Sequence, residues 1–512
     1  MTLREFFQLL NKSKFCSLFI IAALVLFPEL TLSQEKPQKI EILNANSLEY
    51  DENIHPNVRR FIGDVIFEHN DFTMYCDSAY YYTIDNQIDA FSNVHIERGD
   101  TLHLYGDFLS YNGNTNFGKI RENVELKDQK AQVFTDSLDF YAEEDYAHYF
   151  DGGKIINEDN TITSKTAHYY SSKKMAYFNE DVTIENPDYM VDTDTLNYDT
   201  EEEIAYFIGP TDIYNDSSYL YCEEGWYKTQ SNQFLFTKNA MYQKEERIIK
   251  GDTLFYDREA NFGQIKQSAE IIDTLQNIIL KGNYSEYSEN PDRAFLTDET
   301  LMIHVDNEND SLFLHADTIK SHYDSTESHQ IFKAYYKVKF FKTNLQGKCD
   351  SLSYYMKDST IRMYYEPIMW SDSNQIFADD ISIQLKDNEV DEFFLDKNAL
   401  IISQQDEDKF NQIKGKQMTG YVKNNEIRRV DVDGNGETIY YTVDKNEIIG
   451  VNKAISSNLI IKLRDNQVER INMINSPGGT LYPLGDLEET KLKGFQWLEQ
   501  HRPRKKSDIF IW

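Results

Sequence analysis

Runs in which apolar and polar residues alternate recur along the chain, and one seven-residue phrase heads many of them: TDTLNYD at 193–199 returns as GDTLFYD at 251–257. A period of two puts every second side chain on one face of a β-strand. With the acidic or amide residue of the phrase as position zero, copies start at Asn46, Asp77, Asp107, Asp136, Lys165, Asp194, Glu223, Asp252, Asn283, Asp317, Asp350 and Asp379. They stand 29 to 34 residues apart, most often 29. Position +2 is small or aliphatic in most copies (Leu48, Leu109, Leu138, Leu196, Leu254, Leu352), and +4 is aromatic (Tyr50, Tyr111, Phe140, Tyr198, Tyr256, Tyr354). Position −3 is aliphatic (Leu104, Val133, Val191, Ile249), and −1 is always small, as at Cys76, Gly106, Thr135, Cys222, Gly251 and Cys349.

The inward parity is therefore odd before position zero and even after it. A flat strand cannot change faces, so the chain must bend or bulge at each Asp-Ser/Thr pair. Asp and Ser suit such a corner because their side chains bond nearby backbone N–H groups. About ten residues further on, AFSNVHI (90–96), AYFNEDVTI (176–184), AYFIGPTDI (205–213) and VDEFFLDKNALII (390–402) each read as a strand, a turn and another strand. One repeat is then two or three short strands. Some twelve repeats at ~4.8 Å per rung predict a rod of at least ~60 Å, held by neighbour contacts along an internal apolar seam.

Composition sharpens this picture. Of 512 residues, 86 are Asp or Glu and 52 Lys or Arg, a net charge of −34. That balance argues against a nucleic-acid partner, which requires clustered cations. A chain so acidic could be disordered, but 35 Tyr and 31 Phe supply the aromatic content that disordered acidic chains lack. At the N-terminus, Arg4, Lys12 and Lys14 precede an apolar run from Phe15 to Phe27 and the small residues near Ser33. This predicts a signal peptide over 1–33, exporting the remainder. The later cysteines, Cys76, Cys222 and Cys349, read as packing residues; five repeats place Cys76 at least ~24 Å from Cys222, too far for a disulfide.

The remaining candidate chemistry dissolves into structure. Corner acids recur in most copies and form no local acid–base pair. The eleven histidines show no metal-ligand spacing, and no nucleophile elbow or phosphate loop is present. No catalytic residue, metal or cofactor is expected. Asp431–Glu437 (DVDGNGE) has Thr442 where a calcium loop needs Glu, so a hairpin turn at Asn435-Gly436 is the better reading. A short helix is predicted around Leu487–Gln500, within a tail (477–512) that reads as a solvated end, with a docking segment as the alternative.

The combination of small residue-Asp-Ser/Thr-Leu-x-Tyr (135–141, 193–199, 251–257, 349–355) with A-x-F-x-x-N-V resembles the OstA-like family: the β-jellyroll modules of lipopolysaccharide transport found in LptA and the N-terminal part of LptD. The closing GTLYP…LKGFQW…RP pattern (479–503) is similar to the long OstA-like proteins of Bacteroidota. The resemblance implies an elongated antiparallel β-jellyroll, spanning 40–400 with divergent repeats over 401–476. It implies a periplasmic, non-enzymatic protein whose groove, lined by the −3, +2 and +4 residues named above, shields lipid A acyl chains. It also implies partner jellyrolls joined end to end by strand pairing. The alternatives are a scaffold or adhesin-like solenoid whose inward residues merely fill a core, and a parallel β-helix enzyme acting on polysaccharide.

Overall fold

The computed structural model describes residues 38–512, apart from 51–55, 100–101, 128–130, 158–159, 171, 276, 290–291, 306–310, 325–328, 387–388, 424–425, 445–446 and 465–466; the predicted signal peptide and Cys16 lie outside the described residues. Two compact units are present, one running to Glu245 and including Lys250–Asn261, the other comprising Glu246–Ile249 and Phe262–Trp512. Both are built from antiparallel strands, and the described residues contain no α-helix.

The strands are longer than the sequence pattern suggests. Met175–Asn186, which contains AYFNEDVTI, is one continuous strand of 12 residues, not two strands and a turn. Its expected turn, Glu180-Asp181, is a corner inside the strand: both residues are left-handed (φ 61° and 54°), and together they oppose the single residue Asp194 of the next strand, Tyr189–Asp199. Two successive left-handed residues are what a tight reversal uses, so the strand folds sharply and its halves become two facing walls. In Val58–His69 the corner at Gly63-Asp64 brings Phe61 and Phe67 of a single strand ring to ring at 5.8 Å.

Such paired corners recur at twelve places among the described residues, from Gly63-Asp64 through Lys238-Asn239 and Lys397-Asn398 to Asn475-Ser476. Left-handed residues are disfavoured except for Gly, Asn and Asp, which explains the Asn or Asp in most pairs. Corner carboxylates bond across the stack in several copies. They accept from the corner asparagine opposite: Asn93 Nδ2 to Asp77 at 2.7 Å, Asn123 to Asp107 at 2.6 Å, Asn239 to Glu223 at 2.7 Å. The first copy inverts the arrangement, with Asn46 donating to Asp64 at 2.8 Å.

Position −1 must be small because the opposite wall lies against it. A Cβ on Gly106 would stand 2.7 Å from Ile120 Cγ1, and one on Gly415 would stand 2.3 Å from Val432 Cγ1. Gly415 and Ser456 reveal two further corners, at Lys416 and Ser457, that carry no acidic residue. Gly434-Asn435, with φ values of 75° and 52°, is likewise a corner within the 19-residue strand Glu426–Asp444, not a hairpin turn. The looser spacing there reflects longer arms on the same device.

The tail has no α-helix, and although most of its residues are exposed it is docked rather than free. After the strand Gly478–Tyr482 it runs as irregular chain with two short 3-10 turns, Glu499–His501 and Lys506–Phe510. It travels back across the outer face of the first wall of the second unit. There, buried Gln412 donates to Thr490 O (2.8 Å) and accepts from Leu492 N (2.8 Å). Gln375 clamps Gln496 O (2.6 Å) and Leu498 N (2.8 Å), and Arg502 Nε donates to Gln346 (2.7 Å). Gln346, Gln375 and Gln412 all occupy position −4, so one tail segment is gripped in successive repeats. Wall strands beneath it are buried on both faces: Ala399 and Ile401 join the inner core, while Leu400 and Ile402 join an outer core with Tyr441 and Leu492.

Candidate functional site

The predicted lining residues gather on the inner faces of the two walls. The −3 residues line the first wall and the +2 and +4 residues the second, and the corner between them produces the parity switch. Leu104, Leu109, Tyr111, Val133, Leu138, Val191, Leu196, Tyr198, Leu254, Tyr256 and Leu352 are all buried. Phe140, Ile249 and Tyr354 are partly buried. Leu48 and Tyr50 depart from the pattern at 54% and 53% exposed, because the short first strands Glu41–Asn44 and Ser47–Glu49 have a neighbour only on the side of Val58–His69 among the described pairings.

Successive inner residues touch along the stack. Phe234 stacks on Phe236 at 4.6 Å and on Tyr256 at 5.9 Å, and Tyr111 lies 6.2 Å from Phe140. In the second unit Leu352, Phe340, Ile381, Phe393, Met418 and Val430 form an inner core of the same kind. The seam is tightly shut around these side chains, with Leu196 and Tyr198 each 1% exposed.

The open rims of the two walls meet near the first repeats. Tyr111 Oη on the second wall lies 2.9 Å from Nδ1 of buried His69 on the first, and Asn70 donates to Asn116 across the rims at 3.2 Å. The entering segment fills the remaining gap. Ile40 N donates to Asn86 Oδ1 at 3.0 Å, while His69 Nε2 and Asn86 Nδ2 lie 3.0 and 3.1 Å from Gln38 O. Sequence reasoning missed this latch, since His69 ends a strand and Asn70 and Asn116 sit in turns, all outside the repeat phrase.

Electrostatics at the seam are those of an apolar interior. Burial pushes the Cys76 and Cys222 thiols up to about 12 and raises the Cys349 thiol further, as expected for packing residues. The three cysteines are free and buried. Tyr149 is likewise raised to about 12 by burial, against the opposing hydrogen bond to Ser164 at 2.7 Å. Among the described residues this lining is an apolar, water-excluding surface.

Comparison with known proteins agrees with this architecture. Residues 37–194 and 190–252 match the family model described as OstA-like protein, and residues 286–389 match that of the LptA/(LptD N-terminal domain) LPS transport protein. These two matches support a place in the OstA-like family. Among solved structures it is similar to LptH, the LptA-homologous periplasmic component of the lipopolysaccharide transport device from Pseudomonas aeruginosa. That likeness is at 9% identity and a TM-score of 0.20, covering 21% of this chain and 81% of that one. No curated protein sequence matches.

Proposed function

We propose that this protein is a periplasmic, non-catalytic carrier that shields the acyl chains of lipopolysaccharide between its two walls and passes them toward the outer membrane. The observation that supports it is the inner apolar column itself, which recurs at −3, +2 and +4 in most copies, with Ser285 and Ser321 as polar exceptions. A lipid chain exchanged into that column loses its contact with water, at ~0.8 kcal/mol per methylene, so roughly ten methylenes contribute about 8 kcal/mol. Loading requires the walls to part, which breaks the polar contacts joining His69 to Tyr111 and Asn70 to Asn116 at the first repeats as well as the side-chain packing that the lipid chain replaces. Those bonds are individually worth about 1 kcal/mol, so lipid burial outweighs them. The half-exposed first strands, paired among the described residues only with Val58–His69, are the edge that a neighbouring jellyroll of the same transport route would extend by strand pairing.

The tight packing of Leu196 and Tyr198 favours a second reading, a closed scaffold. Photocrosslinking in the native cell separates the two. A crosslinking residue replaces inward Tyr198 or Tyr256, with outward Asn197 as control. Lipopolysaccharide adducts at the inward positions alone support the carrier. Their absence from a folded, exported protein leaves these tyrosines as core and favours the scaffold.

A further inference from the structure

On the outer face of the first wall in the first unit, away from the inner column, two neighbouring strands place histidines side by side. His95 and Glu97 lie two residues apart on Gln87–Arg98, and so share a face; His103, on Leu102–Asn112, is the direct cross-strand partner of Glu97. His95 Nε2 and His103 Nδ1 are 3.1 Å apart, and ligand atoms of all three residues lie within 4.8 Å of one another. Two nitrogens bound to one tetrahedral zinc ion at 2.0–2.1 Å stand ~3.3 Å apart. The imidazoles are thus already spaced as neighbouring ligands, and rotation of the Glu97 side chain closes the rest of the triangle.

The surroundings hold the set in place. The His95 ring is stacked between Tyr105 (4.5 Å, 7°) and Tyr75 (5.4 Å, 19°), which fixes its plane. Tyr75 Oη donates to Glu97 Oε1 at 2.6 Å, the outer hydrogen bond that ligating carboxylates generally receive. Lys127, the cross-strand partner of His103, is paired with Glu125 at 2.8 Å. A second histidine pair shows what a histidine contact without this arrangement looks like. His148 and His168 stack at 5.5 Å, but the carboxylate opposite His148, Asp139, is held by Arg121 at 2.6 Å.

We propose that His95, Glu97 and His103 form a binding site for a borderline divalent transition-metal ion, zinc foremost, with a fourth position open to water or a donor from a partner. Two imidazoles and one carboxylate suit Zn²⁺, Ni²⁺ or Cu²⁺; they are too few and too nitrogen-rich for Ca²⁺ or Mg²⁺. The ion sits between the two imidazoles in place of the hydrogen bond they share, each ring keeping its proton on the nitrogen that faces away. The site clips two strands together and is independent of lipid carriage.

The test is calorimetric titration of the purified full chain, free of any histidine tag, with zinc chloride, and with copper(II) followed by electron paramagnetic resonance. One ion per chain is expected, with two nitrogen ligands in the copper spectrum. His95→Gln and His103→Gln should each abolish binding, Tyr75→Phe should weaken it ~10–100-fold as outer-shell losses do, and His168→Gln should leave it unchanged. Failure of the wild-type chain to bind below ~1 mM zinc would overturn the assignment. So would binding that survives His95→Gln and His103→Gln, or that disappears with His168→Gln. Circular dichroism of each variant distinguishes a lost ligand from a lost fold.

Discussion

Removing the glutamine clamps should free the tail in a graded way. Gln375 and Gln412 are both 0% exposed, and each side chain satisfies one tail carbonyl and one tail N–H at 2.6–2.8 Å. Truncation to alanine leaves two buried polar groups without partners, each worth about 1–3 kcal/mol. The tail escapes the full penalty by opening locally, so about 2 kcal/mol per clamp is the expected loss. Since 1.4 kcal/mol is tenfold, Gln412→Ala should speed hydrogen exchange at the Leu492 amide ~30-fold, and Gln375→Ala that at Leu498 similarly. The clamps share no partner, so their effects should add, and the double variant should raise exchange over residues 487–498 by ~10³-fold. Exchange mass spectrometry of the folded chain reads this directly. A change of less than about threefold at both segments would refute the clamp argument. A fall in melting temperature with tail exchange unchanged would show that the glutamines serve the sheet instead.

Gly106→Val forces a branched side chain against Ile120, and overpacking of this kind costs about 1–3 kcal/mol. Adding Ile120→Ala should recover part of that loss in chemical denaturation; purely additive losses would remove the steric account of the small residue at −1. Burial lowers the pKa of His148 and His168. The unfolded chain therefore takes up protons first, near pH 6.5, and stability present above that pH should fall as pH drops through it until the folded imidazoles also protonate. Melting at pH 7.5 and 5.5 should show the loss, reduced in His168→Asn; an identical pH dependence in that variant would contradict it. Cys76, Cys222 and Cys349, buried and with raised thiols, should resist a thiol reagent at pH 8 in the native protein and react fully in denaturant. Rapid native labelling would show that the corners open.

The alternation of Leu196 and Tyr198 with polar neighbours, and its phase change at Asp194, made the strands, the bend and the inward face legible from the sequence, because side-chain parity is a local property of the backbone. Local chemistry could also place small residues at −1, since any tight corner excludes bulk. It could not tell a corner from a hairpin at Asn179–Val182 or at Gly434-Asn435, because both use left-handed Asn, Asp and Gly. Only the pairing partner decides whether the strand reverses or folds upon itself. The corners at Lys416 and Ser457 escaped because an acidic residue is the commonest, not the necessary, occupant, whereas Gly415 and Ser456 kept the steric requirement. The run Ala399-Leu-Ile-Ile402 carried an unread signal: four successive apolar residues mean a strand buried on both faces. What covered its second face, like the joining of His69 to Tyr111 and of His95 to His103, depended on contacts between residues distant in sequence or across strands, which no local pattern encodes.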